Sequence, residues 1–196
     1  MRSSGVLMHL SSLPSPYGIG TMGKQAKQFV DFLEKAGQTY WQMLPICPTS
    51  YGDSPYQSPS GFAGNPYFID LDILCTKKLL KKSECKSYQW NEKDDTVDYA
   101  LLYKNRYDLL RKAKVRFFEN VPQEYGQFCE KEADWLDDFA LFMALKEAHN
   151  GAQWSEWERP LKFREAEAIA KAKDTYADEI DFWKMLQYLF LSLIHI

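Results

Sequence analysis

The 196-residue chain has no run of about 20 apolar residues, the length a membrane-crossing helix needs. No signal peptide is expected either: Arg2 precedes only the short apolar stretch Gly5 to Leu10, interrupted by His9, with no small-residue cleavage site. A membrane partner is therefore not expected, and a cytoplasmic location is. An excess of charge of one sign is missing too, with 24 Lys and Arg against 27 Asp and Glu and a net charge of −3. Phosphate backbones are bound by concentrated cations, so nucleic acid is excluded as a partner. The one basic cluster, Lys77-Lys78-Leu79-Leu80-Lys81-Lys82, is short and reads as a solvated helix end. Histidine is scarce and scattered (His9, His149, His195), which speaks against a metal site. The four cysteines, Cys47, Cys75, Cys85 and Cys129, have no C-x-x-C or metal-ligand spacing, so they are expected to be free thiols in a reducing cytosol.

What the chain does have is aromatic rings: 12 Tyr, 12 Phe and 6 Trp, 15% of the residues. Most of so many must serve the core, and those near loops could be platforms for the apolar faces of sugar rings. Composition does not separate the two uses. Gly5 to Leu10 is a short apolar run ahead of the turn-rich Ser11 to Gly18 and reads as a buried strand. Ala26, Phe29, Val30 and Leu33 recur at the spacing of one helix face, with Gly37 placed for a C-terminal cap. Tyr40 to Leu44 reads as a second strand, stopped by Pro45 and Pro48. Strand, helix, strand is a βαβ unit, the building block of parallel sheets, so the opening is α/β.

A long loop follows, Ile46 to Asn65, rich in Pro, Gly, Ser and Tyr. Loops of this length without periodicity are functional or disordered, and the rings Tyr51, Tyr56, Phe62 and the nearby Tyr67 argue against disorder. It leaves the C-terminal end of a parallel strand, where α/β folds bind their ligands. From about Leu74 the pattern is helical. Stripes are expected at Tyr99, Leu102, Tyr103, Tyr107 and Leu110; at Leu136, Phe139, Ala140 and Met143; and at Trp183, Leu186, Gln187 and Phe190. Two parallel strands cannot cover themselves, and the apolar end Leu189 to Ile196 has no cap, so the chain reads as cut inside a helix.

Four segments carry the strongest signal: Ser11 to Gly20 (S-S-L-P-S-P-Y-G-I-G), Tyr40 to Pro45 (Y-W-Q-M-L-P), Gly52 to Ser58 (G-D-S-P-Y-Q-S) and Phe62 to Tyr67 (F-A-G-N-P-Y). In these the sequence resembles the amylomaltases, the 4-α-glucanotransferases of the α-amylase clan. The resemblance continues through Trp135 to Phe142 and Phe182 to Phe190 and so covers nearly the whole chain. It implies a (β/α)8 TIM barrel of which this chain holds the first two strands, with a largely helical insertion subdomain after strand two. A complete barrel needs about 250 residues, so the barrel is incomplete here. The implied division is residues 1–73 as the barrel start with its substrate-binding loop, 74–190 as the helical insertion, and 191–196 as a tail departing from the family, as a frameshift or assembly artefact would.

The family chemistry is retaining transfer of α-1,4-glucan segments between maltooligosaccharides by a pair of carboxylates about 5 Å apart. Those carboxylates lie on later strands, so no catalytic residue is assigned here and the chain alone is expected to be inactive. The family uses no metal or cofactor. Its substrates make maltooligosaccharides and other α-1,4-glucans the expected partners. By resemblance Tyr56 is the ring that stacks on sugar at the cleavage subsite, Ser54 a neighbouring sugar contact, and Tyr51 part of a secondary glucan site. Asp53 reads as a turn residue with a possible sugar contact, Asn65 as a loop-ordering residue, and Asp70 as a helix cap or loop anchor. Trp154 and Trp157 read mainly as packing within the helical region, and His9 as a core residue. Three other readings stand beside this one: a non-catalytic glucan-binding module, a helical interaction protein, and a hydrolase of the same clan.

Overall fold

The computed structural model describes residues 2–50, 52–92 and 95–194. Strands β1 (Gly5–Leu7) and β2 (Tyr40–Gln42) pair in parallel, with Gly5 opposite Tyr40, Val6 opposite Trp41 and Leu7 opposite Gln42. Helix α1 (Lys24–Lys35) is the crossover that a parallel pair requires. Both strands are shorter than the sequence pattern predicts. One further ladder bond runs from the Met8 N–H to the Gln42 carbonyl at 3.0 Å. The Met8 carbonyl is then taken by the Trp41 indole N–H at 2.7 Å, which withdraws it from the ladder, and the chain folds into a 3-10 turn at Leu10–Ser12.

The predicted face of α1 is covered at Leu33 and half-covered at Ala26 and Phe29, whereas Val30 is 51% exposed. The helix overhangs a sheet only two strands wide, and Phe29 meets the Trp41 ring edge-on at 4.9 Å. The helix stops as expected at Gly37, whose φ of 66° few side chains tolerate. The Gly37 N–H bonds the Glu34 carbonyl and the Gln38 N–H the Leu33 carbonyl, at 3.0 and 2.9 Å, the paired bonds of a Schellman stop.

Three helices follow: α2 (Leu71–Thr76), α3 (Lys82–Lys86) and α4 (Tyr99–Glu119). Asp70 caps α2, as the sequence suggested, accepting from the Ile73 N–H at 2.9 Å and from the Thr21 hydroxyl at 2.6 Å. Asp98 caps α4 through the Leu101 N–H at 2.9 Å. Arg116 of α4 holds both oxygens of Glu84 on α3, at 2.6 and 2.8 Å, and this pair pulls the Glu84 carboxyl down to about 2. The predicted stripe on α4 is corrected by the structure. Its buried face is Leu102, Asn105, Arg106, Leu109, Leu110, Ala113 and Phe117, while Tyr103 is 63% exposed. A fully buried arginine is a residue that an apolar pattern cannot anticipate. Its guanidinium donates to the Ile69 carbonyl, and burial lowers its pKa to about 10.

The chain divides into two compact units, residues 1–121 with 189–196, and residues 122–188. The sequence reading places its boundary at 73/74, yet α2, α3 and α4 group with the strands. The second unit holds α5 (Gln123–Lys131), α6 (Ala133–Ala148), α7 (Arg159–Lys162), α8 (Ala166–Thr175) and most of α9 (Ala177–Ile194). The expected stripes on α6 and α9 are buried except at Met143, which is half-buried. A core of Leu141, Leu145, Trp157 and Ala172 is lined by Phe142, Leu161 and Ile169. Trp157 is thus a packing residue, while Trp154 is 55% exposed.

His149 ends α6 with both ring nitrogens engaged. Nδ1 lies 2.7 Å from the Leu145 carbonyl, Nε2 lies 2.8 Å from a Glu158 carboxylate oxygen, and the ring stacks on Trp157 at 5.1 Å. Carbonyl and carboxylate only accept, so this geometry suits the doubly protonated imidazolium, and the Glu158 contact raises the pKa above the ordinary 6.5. A raised folded-state pKa gives stability that is fully present below the unfolded pKa and lost as pH rises through the folded one. Thermal melts should therefore show a modest loss of stability from about pH 5.5 to pH 8.5, screened by salt because Glu158 is exposed. Glu158→Gln should flatten that slope. An unchanged slope in the variant would assign the pH dependence to another group.

Candidate functional site

The segment between β2 and the 3-10 turn Pro66–Phe68 has no helix or strand among its described residues, yet it is tied down. Its ends are joined by the Asn65 N–H to the Ile46 carbonyl at 2.9 Å. Inside it, the Ser50 N–H reaches the Gln57 carbonyl at 3.0 Å and the Asp53 N–H reaches the Ser50 carbonyl at 3.1 Å. The Ser60 hydroxyl accepts from the N–H groups of Phe62 and Ala63 at 3.2 and 3.1 Å. This is a compact Ω-type loop whose serines take the place of a ladder. Gly64 anchors it by packing: a Cβ there would lie 1.9 Å from the Phe190 ring, an overlap typically costing about 1–3 kcal/mol or more.

The loop closes over a cavity of about 220 Å³ at the C-terminal end of β1. His9, Ser11 and Ser12 form one wall; Thr49, Asp53 and Asn65 come from the loop; Tyr67 and Tyr99 supply rings. Of the five predicted site residues, the structure brings Asp53 and Asn65 to this cavity. Asn65 is 3% exposed, and its side-chain oxygen accepts from the Tyr67 N–H at 3.0 Å, starting the 3-10 turn, which is the loop-ordering role expected of it. Asp53 sits at a φ of 53° in a turn, as predicted, but its side chain turns to the Thr49 hydroxyl at 3.2 Å rather than to its own backbone. Ser54 and Tyr56 do not line the cavity. The Ser54 hydroxyl accepts from the Tyr56 N–H at 3.4 Å, and the Tyr56 ring stands 73% exposed beside it. Tyr51 lies outside the described residues.

The electrostatics centre on Asp53. Burial raises its pKa, and its charge, added to their own burial, raises those of the Tyr67 and Tyr99 hydroxyls. His9 shifts the other way, lowered by burial, with Nδ1 enclosed and unpaired and the ring edge-on to Phe68 at 5.5 Å. A neutral imidazole, one carboxylate, hydroxyls and two rings suit an uncharged polyol better than an ion. Among the described residues Asp53 is the one carboxylate lining the cavity, so it has no partner here for retaining glycosyl transfer. No group of three or more His, Cys, Asp or Glu could hold a metal ion among the described residues. A larger cavity of about 610 Å³, lined by Lys77, Lys78, Lys112 and Arg116, lies between α2 and α4, away from the loop. Thr49, Tyr67 and Tyr99 were not named from sequence as site residues. Tyr67 lies within the F-A-G-N-P-Y segment and could have been, whereas nothing local marks Tyr99.

The sequence model of the 4-alpha-glucanotransferase family matches residues 8–194. The chain belongs to that family. Leu191 to Ile194 falls within the matched range, although the sequence reading set residues 191–196 apart. The chain is 50% identical over 185 residues to a 4-alpha-glucanotransferase of Clostridium butyricum and 46% identical over 193 residues to that of Thermus thermophilus. These alignments cover 94% and 96% of the chain, but the chain spans only 38% of either relative. Among solved structures, an amylomaltase from Streptococcus agalactiae in complex with acarbose superposes with a TM-score of 0.95 at 39% identity, over 98% of this chain and 39% of that one. An amylomaltase from Corynebacterium glutamicum gives 0.63 at 16% identity over 97% of this chain and 27% of that one, a likeness of fold alone.

The Asp53 environment yields a test. A carboxyl whose folded-state pKa is raised disfavours folding once ionised, an effect absent below the unfolded pKa and complete above the folded one. Asn tolerates the same left-handed φ and can keep the Thr49 bond. Asp53→Asn should therefore raise the melting midpoint slightly at pH 7 and match the parent chain near pH 3. A lower midpoint at pH 7 would mean that the fold uses the charge.

Proposed function

We propose that the chain is part of a 4-α-glucanotransferase that moves α-1,4-linked glucan segments between maltooligosaccharides by a retaining double displacement. On this reading β1 and β2 are the first two strands of a (β/α)8 barrel, with a largely helical insertion after the second. The loop after β2 is a sugar platform. Family membership and the fold superposition support the activity. The observation that carries the site is the Tyr56 ring, held 73% exposed on a loop whose ends are pinned together. A tyrosine left in water on a rigid loop contributes little to the core and is free to stack on a sugar face. Ser54 holds the backbone at that ring, Tyr51 belongs to a second contact on the same loop, and Asp53 and Asn65 set the loop's shape. A cytoplasmic location fits the four free cysteines. No helix among the described residues is long and apolar enough to cross a membrane.

Double displacement needs a nucleophile and an acid/base, and Asp53 alone is neither pair nor positioned as one. The isolated chain should thus release no glucose from maltotriose and build no longer dextrins, as followed by chromatography. Products growing with time from a clean preparation would overturn this division of labour.

In the full-length protein, Tyr56→Ala should cut turnover by on the order of 100-fold, since small misplacements at a reacting centre cost that much. The exposed ring means that the melting midpoint should hardly move. Tyr56→Phe should be milder, separating stacking from the hydroxyl. A destabilised Tyr56→Ala protein with normal turnover would refute the stacking role.

A further inference from the structure

Cys75 closes the last turn of α2 and Cys85 lies in α3, and their Sγ atoms are 3.7 Å apart. That is van der Waals contact between two sulfurs that both remain free thiols. Joining them needs an approach to about 2.05 Å. The two differ in access: Cys75 is half-buried, while Cys85 is 0% exposed. Of the other two cysteines, Cys47 belongs to the Ω-type loop and Cys129 to the second compact unit. The established family chemistry makes no use of either member of the close pair.

We propose that Cys75 and Cys85 form a dithiol–disulfide site, closed by exchange with a small-molecule disulfide of the glutathione type. The thiolate of accessible Cys75 attacks the small disulfide, giving a mixed disulfide at Cys75 and releasing one small thiol. The Cys85 sulfur, too enclosed to meet a bulky reagent but already touching Cys75, then attacks the Cys75 sulfur and expels the second small thiol. Two protein thiols are oxidised to one disulfide, and one small disulfide is reduced to two thiols, each taking one of the protons released. Burial pushes the Cys85 thiol up to about 12, which slows this second step. The product staples α2 to α3, and α3 in turn holds α4 through Glu84 and Arg116. Because α2 continues directly from the 3-10 turn under the sugar loop, the staple tightens the base on which the loop stands.

The full chain is incubated with excess glutathione disulfide, quenched with acid, and its remaining thiols are alkylated before trypsin digestion. Lys77, Lys78, Lys81 and Lys82 let trypsin part the two cysteines, leaving Cys85 on the peptide 83–86 and Cys75 on the peptide 36–77. The expected product is these two peptides joined, with a protein mass lower by two hydrogens and a melting midpoint higher by several degrees, both reversed by dithiothreitol. Peptide 36–77 also carries Cys47, so Cys47→Ser is run in parallel and should keep the link, whereas Cys75→Ser should lose it. Cys85 recovered fully alkylated, glutathione retained on Cys75, or Cys85 joined to Cys47 or Cys129 would each overturn the proposal.

Discussion

One backbone hydrogen bond, from the Asn65 N–H to the Ile46 carbonyl, converts the stretch after β2 from a tether into an element. Closing a flexible loop costs entropy that grows slowly with its length, so one well-placed bond at the neck, backed by packing, goes a long way. The same residue then uses its side chain to start the 3-10 turn at Pro66–Phe68, and the turn delivers Asp70 to cap α2. Asn65 is nearly inaccessible to water, so all of its polar atoms must be satisfied locally, and this demand fixes the neck's geometry. The cavity lies between the end of β1 and the loop: His9 and the serines form one wall, and Thr49, Asp53 and Asn65 of the loop another.

That arrangement separates two kinds of tyrosine. Tyr67 and Tyr99 are drawn into the structure, their rings 6.3 Å apart and their hydroxyls kept protonated by burial beside Asp53. Tyr56 is held outward by a turn and a serine hydroxyl. The carboxylate nearest this region is one that the surroundings push toward its neutral form.

The second compact unit rests on different physics. It is a helical assembly whose core of Leu141, Leu145, Trp157 and Ala172 carries the His149 ring stacked on its tryptophan. Two of its helices, α6 and α9, could be traced as stripes because helical periodicity is a local property. The stripe on α4 failed for an instructive reason. Tyr103 scores as apolar and Arg106 as charged, yet the tyrosine faces water and the arginine is buried with one guanidinium nitrogen donating to the Ile69 carbonyl.

The sequence by itself determined the parallel βαβ opening, the cap at Gly37, the N-cap at Asp70 and the identity of the loop that matters, because these depend on neighbours a few residues apart. The segments G-D-S-P-Y-Q-S and F-A-G-N-P-Y, through their resemblance to the amylomaltases, singled out Tyr56 and Asn65 as candidates. Only the tertiary structure decided that Tyr99 joins Asp53 at one cavity, that Phe190 fills the space Gly64 leaves, and that Cys75 and Cys85 touch. It also decided that β1 ends at Leu7, where the Trp41 indole takes the carbonyl the strand would have used. Each of these is a meeting of residues far apart in the chain, and burial, partner and distance are set only when the chain has brought them together.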